Sequence, residues 1–134
     1  MTHLNGSIRS LRKFPILYGL AWSLFYAVIG ILLVSLWAHV HPMSPKTLVM
    51  AAYIIHCAAV LLGAIAGSRA AQERGWYYGG MSGLFYAIVM ICIGLFAYNT
   101  FSLDAGGLFR VLLMALIGAF GGIIGVNTGS TRSL

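Results

Sequence analysis

Three side chains within the long apolar stretches of this chain could support chemistry or polar recognition. His56 is an ionisable side chain nine residues past Thr47, well inside one such stretch. Tyr26 and Tyr86 lie sixty residues apart and occur in the same tetrapeptide, Leu-Phe-Tyr-Ala. A polar group surrounded by apolar residues needs a hydrogen-bonding partner, and ionisable groups in such settings often mark a site. We therefore treat His56, Tyr26 and Tyr86 as a candidate polar site.

Each of these side chains has a structural and a functional interpretation. A neutral His56 bonded to a carbonyl or a tyrosine would only support packing, whereas a titrating His56 could act on a solute. The two tyrosine hydroxyls could bond to backbone carbonyls of neighbouring helices, or line one shared site. No Asp or Glu lies in any apolar stretch to pair with the histidine. The structural interpretation is the simpler one in both cases.

The other reactive residue types form no catalytic or metal-binding pattern. His39 and His41 make a His-x-His pair without a nearby third ligand, so we expect solvated loop histidines. Cys57 and Cys92 both lie in apolar stretches, where packing is their expected role. No nucleophile–base pair and no phosphate-binding loop after a strand occurs. We predict a non-enzymatic protein with no cofactor and no bound metal.

Four apolar stretches must position these side chains, and each is long enough to cross a bilayer. Of the 134 residues, 60% are hydrophobic and 7% are charged, which cannot cover a soluble surface. A spanning helix needs about 20 mainly apolar residues. The predicted spans are Phe14–Ala38, Thr47–Ser68, Trp76–Tyr98 and Leu108–Val126. The expected fold class is all-α integral membrane, in one domain over residues 1–134.

The shared tetrapeptide belongs to a longer internal repeat. Residues 24–27 return as residues 84–87, and the Tyr-Gly pair at 18–19 returns at 78–79 with the same offset. This pattern predicts two tandem helical hairpins, covering about 10–70 and 71–130. Because each hairpin exits on the side where it entered, any symmetry axis would run along the membrane normal.

Small residues recur at four-residue spacing on three of the predicted spans. Residues i and i+4 share a helix face, and glycine there lets two backbones approach closely, as in a glycine zipper. The predicted helix-packing residues are Gly63, Gly67, Gly75, Gly79, Gly83, Gly118, Gly121, Gly122 and Gly125. These faces could pack within one chain or between chains, and the short loops favour packing within it. The fourth span carries enough glycines for two faces, so it is the candidate oligomer contact.

The basic residues predict an orientation and a lipid partner. The formal net charge is +6, but the basic residues flank the spans and form no patch with interleaved aromatics. We therefore expect them to meet anionic lipid headgroups and not nucleic acid. Six lie on the side of the termini (Arg9, Arg12, Lys13, Arg69, Arg74 and Arg132) and two, Lys46 and Arg110, on the other. The positive-inside rule then places both termini in the cytoplasm.

Two segments resemble a known family. The run of residues 63–86, GAIAGSRAAQERGWYYGGMSGLFY, and the ending at residues 118–127, GAFGGIIGVN, are similar to segments of an uncharacterised family of small four-helix membrane proteins from Firmicutes. The resemblance covers nearly the whole chain. It implies four helices in a bacterial plasma membrane, and it brings no catalytic residues.

Two classes of function remain open at this stage. The first is a non-enzymatic integral membrane protein that acts through helix packing, as a self-associating unit or an accessory subunit of a membrane complex. The alternative is an oligomeric channel or transporter for a small or lipidic solute, with His56, Tyr26, Tyr86, Asn99 and Asn127 as its polar side chains. A holin-like permeabiliser is a third hypothesis.

Overall fold

The computed structural model of this protein consists of four long α-helices joined by short connections. It describes residues 13–98 and 105–129, together with Gly6, so Arg9, Arg12, Asn99 and Arg132 lie outside the described residues. Helix α1 spans Pro15–Val40, α2 spans Pro45–Ala71, α3 spans Gly75–Tyr98 and α4 spans Ala105–Gly129. All four are long and apolar enough to cross a membrane. This confirms the predicted all-helical class with four candidate membrane spans.

Prolines and a polar cap explain where the first two helices begin. Pro15 and Pro45 occupy the first turns of α1 and α2, where a missing N–H leaves no hydrogen bond unmade. Ser44 caps α2, since its hydroxyl oxygen accepts a 3.3 Å hydrogen bond from the backbone N–H of Thr47. The same helix ends where Gln72 adopts a left-handed conformation with φ 61°.

The helices are not arranged with equal surroundings. Helix α2 contacts the other three, whereas α1 and α4 do not contact each other within the described residues. An exact twofold exchange of the two hairpins would pair α1 with α4 in the same way as α2 with α3. Helices α2 and α3 each contact all three other helices and form the centre of the bundle, and α1 and α4 lie at its opposite edges.

Burial divides the bundle into two halves along its axis. We call the residues at 15–27, 59–71, 75–87 and 114–129 the packed half, and those at 28–40, 45–58, 88–98 and 105–113 the open half. Every buried residue among those described lies in the packed half. In the open half, Met90 and Val111 reach the core and are still only half-buried. The packed half contains the first part of α1 and of α3 and the last part of α2 and of α4. It therefore lies at the end of the bundle where the chain passes from α2 to α3.

The hydrophobic core lies where the two halves meet. Its buried members are Ala27, Ala59, Val60, Tyr86, Ala87 and Met114. All four helices contribute to this layer, and most of its residues are small. The core is therefore a thin layer at the boundary between the packed half and the open half.

Candidate functional site

Glycines hold α3 directly against α4. A Cβ atom added at Gly79 would overlap the carbonyl oxygen of Gly118, and one added at Gly75 would overlap that of Gly122. Gly83 makes the same kind of close approach to the α4 backbone one turn further along. Any side chain at these positions would push the two helices apart, so the contact depends on the absence of side chains.

The other glycine face of α4 lies against α2. Added Cβ atoms would lie 2.7 Å from the Leu61 carbonyl oxygen at Gly121 and 2.6 Å from the Ile65 carbonyl oxygen at Gly125. Both glycine faces of α4 are thus used within the chain. Helix α4 packs against both α2 and α3 and uses one glycine face for each, and an additional oligomer contact of α4 stays a prediction.

A third set of close contacts joins α1 to α2. An added Cβ at Gly67 would lie 2.8 Å from the Pro15 carbonyl oxygen, and one at Gly63 would overlap the Ser23 hydroxyl. On the α1 side the contact includes Gly19, where a Cβ would lie 3.0 Å from the Gly63 carbonyl oxygen. The sequence argument missed Gly19 as a packing residue. The signal was present, since residues 19, 23 and 27 are all small and four residues apart.

Three fully buried serines lie among these glycines. The Ser82 hydroxyl donates to the Tyr78 carbonyl on its own helix at 2.8 Å and approaches the Ile16 carbonyl of α1 at 3.4 Å. The Ser68 hydroxyl donates to the Gly75 carbonyl at 3.3 Å. The Ser23 hydroxyl has no hydrogen-bond partner among the described residues. Ser68 and Ser82 therefore add polar contacts between helices in the packed half, whereas Ser23 contributes only its small size.

A hydrogen bond between His56 and Tyr86 joins α2 to α3 at the boundary of the two halves. His56 Nδ1 and the Tyr86 hydroxyl are 2.5 Å apart, and the two ring centroids are 5.9 Å apart. Which group donates depends on the histidine tautomer. Tyr86 is only 1% exposed, whereas His56 is half-buried and lies in the open half. The hydrogen bond of the Tyr86 hydroxyl is therefore made with the His56 side chain, and the two side chains form a polar pair beside the core layer.

Tyr26 does not join this pair. It is half-buried on α1 and packs against the core, with its ring centroid 5.6 Å from that of Trp22 and 5.9 Å from that of Phe25. Within the described residues, no hydrogen bond connects Tyr26 with His56 or Tyr86. The two tyrosines of the repeated tetrapeptide thus have different surroundings, because α1 lies at the edge of the bundle and α3 lies inside it.

An arginine contact joins the ends of α2 and α4. Arg69 donates from Nε at 3.2 Å and from Nη2 at 3.0 Å to the Thr128 hydroxyl oxygen. Glu73 is four residues past Arg69, a spacing that allows an ion pair only where α2 continues for a full turn past Arg69. The helix ends at Ala71 instead, so Glu73 is not on the same helix face.

The histidines of the first connection show no metal site. His41 packs against Trp37 with ring centroids 4.9 Å apart. Across residues 13–98 and 105–129, no three His, Cys, Asp or Glu residues are grouped to hold a metal ion.

Comparison with known proteins gives a family for this chain. The model of the family described as "Protein of unknown function (DUF3792)" matches residues 12–125. The chain belongs to this family. The matched DUF3792 range contains α1, α2 and α3 entirely, and all the buried residues described for α4. This confirms the resemblance to an uncharacterised family, and no curated protein and no solved structure matches the chain.

Proposed function

We propose that this protein is a non-enzymatic subunit of a membrane complex that presents its open half to a transmembrane helix of another protein. The observation that carries the proposal is the contrast between the two halves of the bundle. The packed half uses its glycine faces inside the chain, whereas the open half contains no buried residue among those described.

Apolar exposure by itself does not indicate a partner, because lipid tails are as apolar as leucine side chains. The informative residue is Gly94 on α3, since a Cβ added there would have no atom of the described residues within 4 Å. A glycine in a helix costs roughly 0.5–1 kcal/mol relative to alanine, a cost that close helix contact can offset. Gly94 makes no such contact with the described residues and offers one to an incoming helix.

The surroundings of Gly94 suit a second helix. Ala97, one turn further along the same face of α3, is exposed, and on α1 the side chains of Leu32 and Leu36 are 63% and 66% exposed. Because α1 does not contact α4, the open half of α1 has protein neighbours on fewer sides than α2 or α3. A partner helix can therefore contact α1 and α3 without displacing a helix–helix contact among the described residues.

Photo-crosslinking in native membranes tests this proposal. A photoreactive amino acid at Leu36 or Ala97 should give adducts with a protein, whereas the matched control at Ile123, exposed in the packed half of α4, should give none. An adduct of twice the monomer mass would identify self-association as the form of the complex. Monomer alone from all three positions would overturn the proposal.

We also propose that the two hairpins are tandem repeats. Gly19 on α1 packs against Gly63 and Gly67, and its repeat equivalent on α3, Gly79, packs against Gly118 and Gly122. In each hairpin, the same repeat position thus meets two glycines four residues apart. This correspondence supports the duplication of one hairpin, after which the contacts of the two copies with the rest of the bundle became different.

The proposed location is a bacterial plasma membrane, with the packed half and both termini on the cytoplasmic side. Among the described residues, Arg69 and Arg74 lie at the packed end, and Lys46 and Arg110 lie at the other end. The tail residues add to the first group in the sequence. Cysteine labelling from either side of intact cells, at the 72–74 and 41–44 connections, would test the orientation.

A channel or transporter is the second candidate, and the His56–Tyr86 pair is the observation that favours it. The pair places a polar group beside the core layer, on the side of the open half. Flux measured in reconstituted liposomes, with His56→Ala as the comparison, tests this candidate. Flux equal to that of empty liposomes would exclude it.

A further inference from the structure

The membrane-facing surface carries an apolar groove between α2 and α4. The groove is open along one side and has a volume of about 660 Å³. Its lining residues are Tyr53, Ile54, Cys57, Ala58, Leu61, Leu116, Ile117 and Phe120. Ala58 is the smallest of them and lies between larger neighbours on α2, so the groove is deepest towards α2 at this residue. The lining is almost entirely apolar, which suits a hydrocarbon chain.

A cation lies at the shallow end of this groove. The Arg110 guanidinium carbon is 5.3 Å from the centroid of the Tyr53 ring, which itself lines the groove. At about 1.5 Å of rise per residue, Leu116 lies about 9 Å and Phe120 about 15 Å deeper along α4 than Arg110. The groove therefore has a positive charge near the membrane surface and only apolar side chains towards the membrane centre.

Arg110 supplies a positive charge at this end of the groove. Arg110 itself is exposed. A planar guanidinium binds phosphate through two parallel hydrogen bonds, and it can do so while stacked on an aromatic ring.

We propose that this groove binds one anionic phospholipid of the leaflet at the open end, with an acyl chain along the groove and the phosphate on Arg110. A transmembrane helix fits less well, because helices in membranes approach closely through glycines, and the groove contains none, whereas the proposed partner surface contains Gly94. The lipid site lies on the α2–α4 side, away from the proposed partner surface on α1 and α3. It therefore goes beyond the proposed function and can fail independently of it.

Native mass spectrometry of the purified, delipidated full chain tests the proposal. The protein is titrated with phosphatidylglycerol or with phosphatidylcholine of the same acyl chains. We expect the wild type to hold one phosphatidylglycerol at lipid concentrations where phosphatidylcholine is lost. Arg110→Gln should reduce the apparent affinity for phosphatidylglycerol by about tenfold, the order expected for a lost charge-assisted hydrogen bond.

Two further variants separate the parts of the site. Lys46→Gln removes the same charge from the same end of the bundle and should leave the lipid occupancy unchanged. Ala58→Trp fills the groove and should reduce the occupancy by both lipids. Equal effects of Arg110→Gln and Lys46→Gln would overturn the proposal, because they would show general attraction to the membrane surface. Unchanged occupancy in Ala58→Trp, or equal binding of both lipids by the wild type, would overturn it as well.

Discussion

The packed and open halves of the bundle differ in the size of the residues at the places where helices meet. In the packed half, Gly19, Gly63, Gly79 and Gly118 allow backbones to touch. In the open half, Ile55 lies against Gly30 and Arg110 lies over Tyr53, so side chains separate the helices. In a bilayer, burial of an apolar side chain gives little advantage over contact with lipid, so close packing decides which half is held together.

The largest expected effect comes from an added methyl group in the packed half. Gly79→Ala should destabilise the protein by about 2 kcal/mol, because the new Cβ overlaps the Gly118 carbonyl and α3 must move away from α4. Unfolding in mixed micelles with increasing sodium dodecyl sulfate, followed by circular dichroism, would measure the change.

The matched control for that change is the next residue in the chain. A Cβ at Gly80 would meet the Cβ of Ala119 at 3.6 Å, an ordinary contact. Gly80→Ala should therefore be neutral or stabilising by up to about 1 kcal/mol, since alanine favours the helix. Similar losses in both variants would mean that close packing does not distinguish the two positions.

The hydrogen bond at the boundary of the halves is expected to contribute less. Hydrogen bonds between membrane helices contribute about 0.6 kcal/mol on average and up to about 1.7 kcal/mol. A double-mutant cycle of Tyr86→Phe and His56→Phe should therefore give a coupling energy of about 1 kcal/mol in the same unfolding measurement. Tyr26→Phe removes the repeat-equivalent hydroxyl and should have no measurable effect. A loss for Tyr26→Phe equal to that for Tyr86→Phe would contradict the different surroundings of the two tyrosines.

Much of this architecture was predictable from the sequence, and the reason is the bilayer. The length of the apolar stretches predicted four spanning helices, and Pro15 and Pro45 lie where two of them begin. Four-residue spacing selected glycines such as Gly79 and Gly118 that do lie at helix contacts. Backbone length and small-residue spacing are local properties, so one sequence is enough to recognise them.

The partners of those faces were not predictable from the sequence. In a soluble bundle, an apolar stripe marks the buried side of each helix, but here apolar residues cover every side. The contact of His56 with Tyr86 depends on how α2 and α3 are rotated, and that of Arg69 with Thr128 depends on where two helices end. The open half left no signal in the sequence, because contact with lipid and burial in the bundle both call for apolar residues.

The contact at the packed end of the bundle should have a smaller effect than the glycines. Thr128→Val removes the acceptor for both Arg69 donors. Because the contact is exposed, we expect a loss of about 0.5 kcal/mol in the unfolding measurement. Thr47→Val, which alters an exposed hydroxyl of the open half that is paired with Ser44, is a comparison at the opposite end. A loss above about 2 kcal/mol for Thr128→Val would show that the polar contact, and not close packing, holds the packed half.

The smallest effect on the isolated protein is expected at Gly94, and this residue separates the two halves most sharply. A leucine at Gly94 meets no atom of the described residues within 4 Å of its Cβ, so the purified variant should unfold like the wild type or slightly later. In native membranes, the same leucine would occupy the surface proposed for a partner helix and should reduce photo-crosslinking from Leu36 and Ala97 several-fold. Unchanged crosslinking would separate the partner surface from Gly94, and loss of stability in the purified variant would show that the open half closes around this glycine. Either result would mean that the open half around Gly94 does not differ from the packed half in the way proposed.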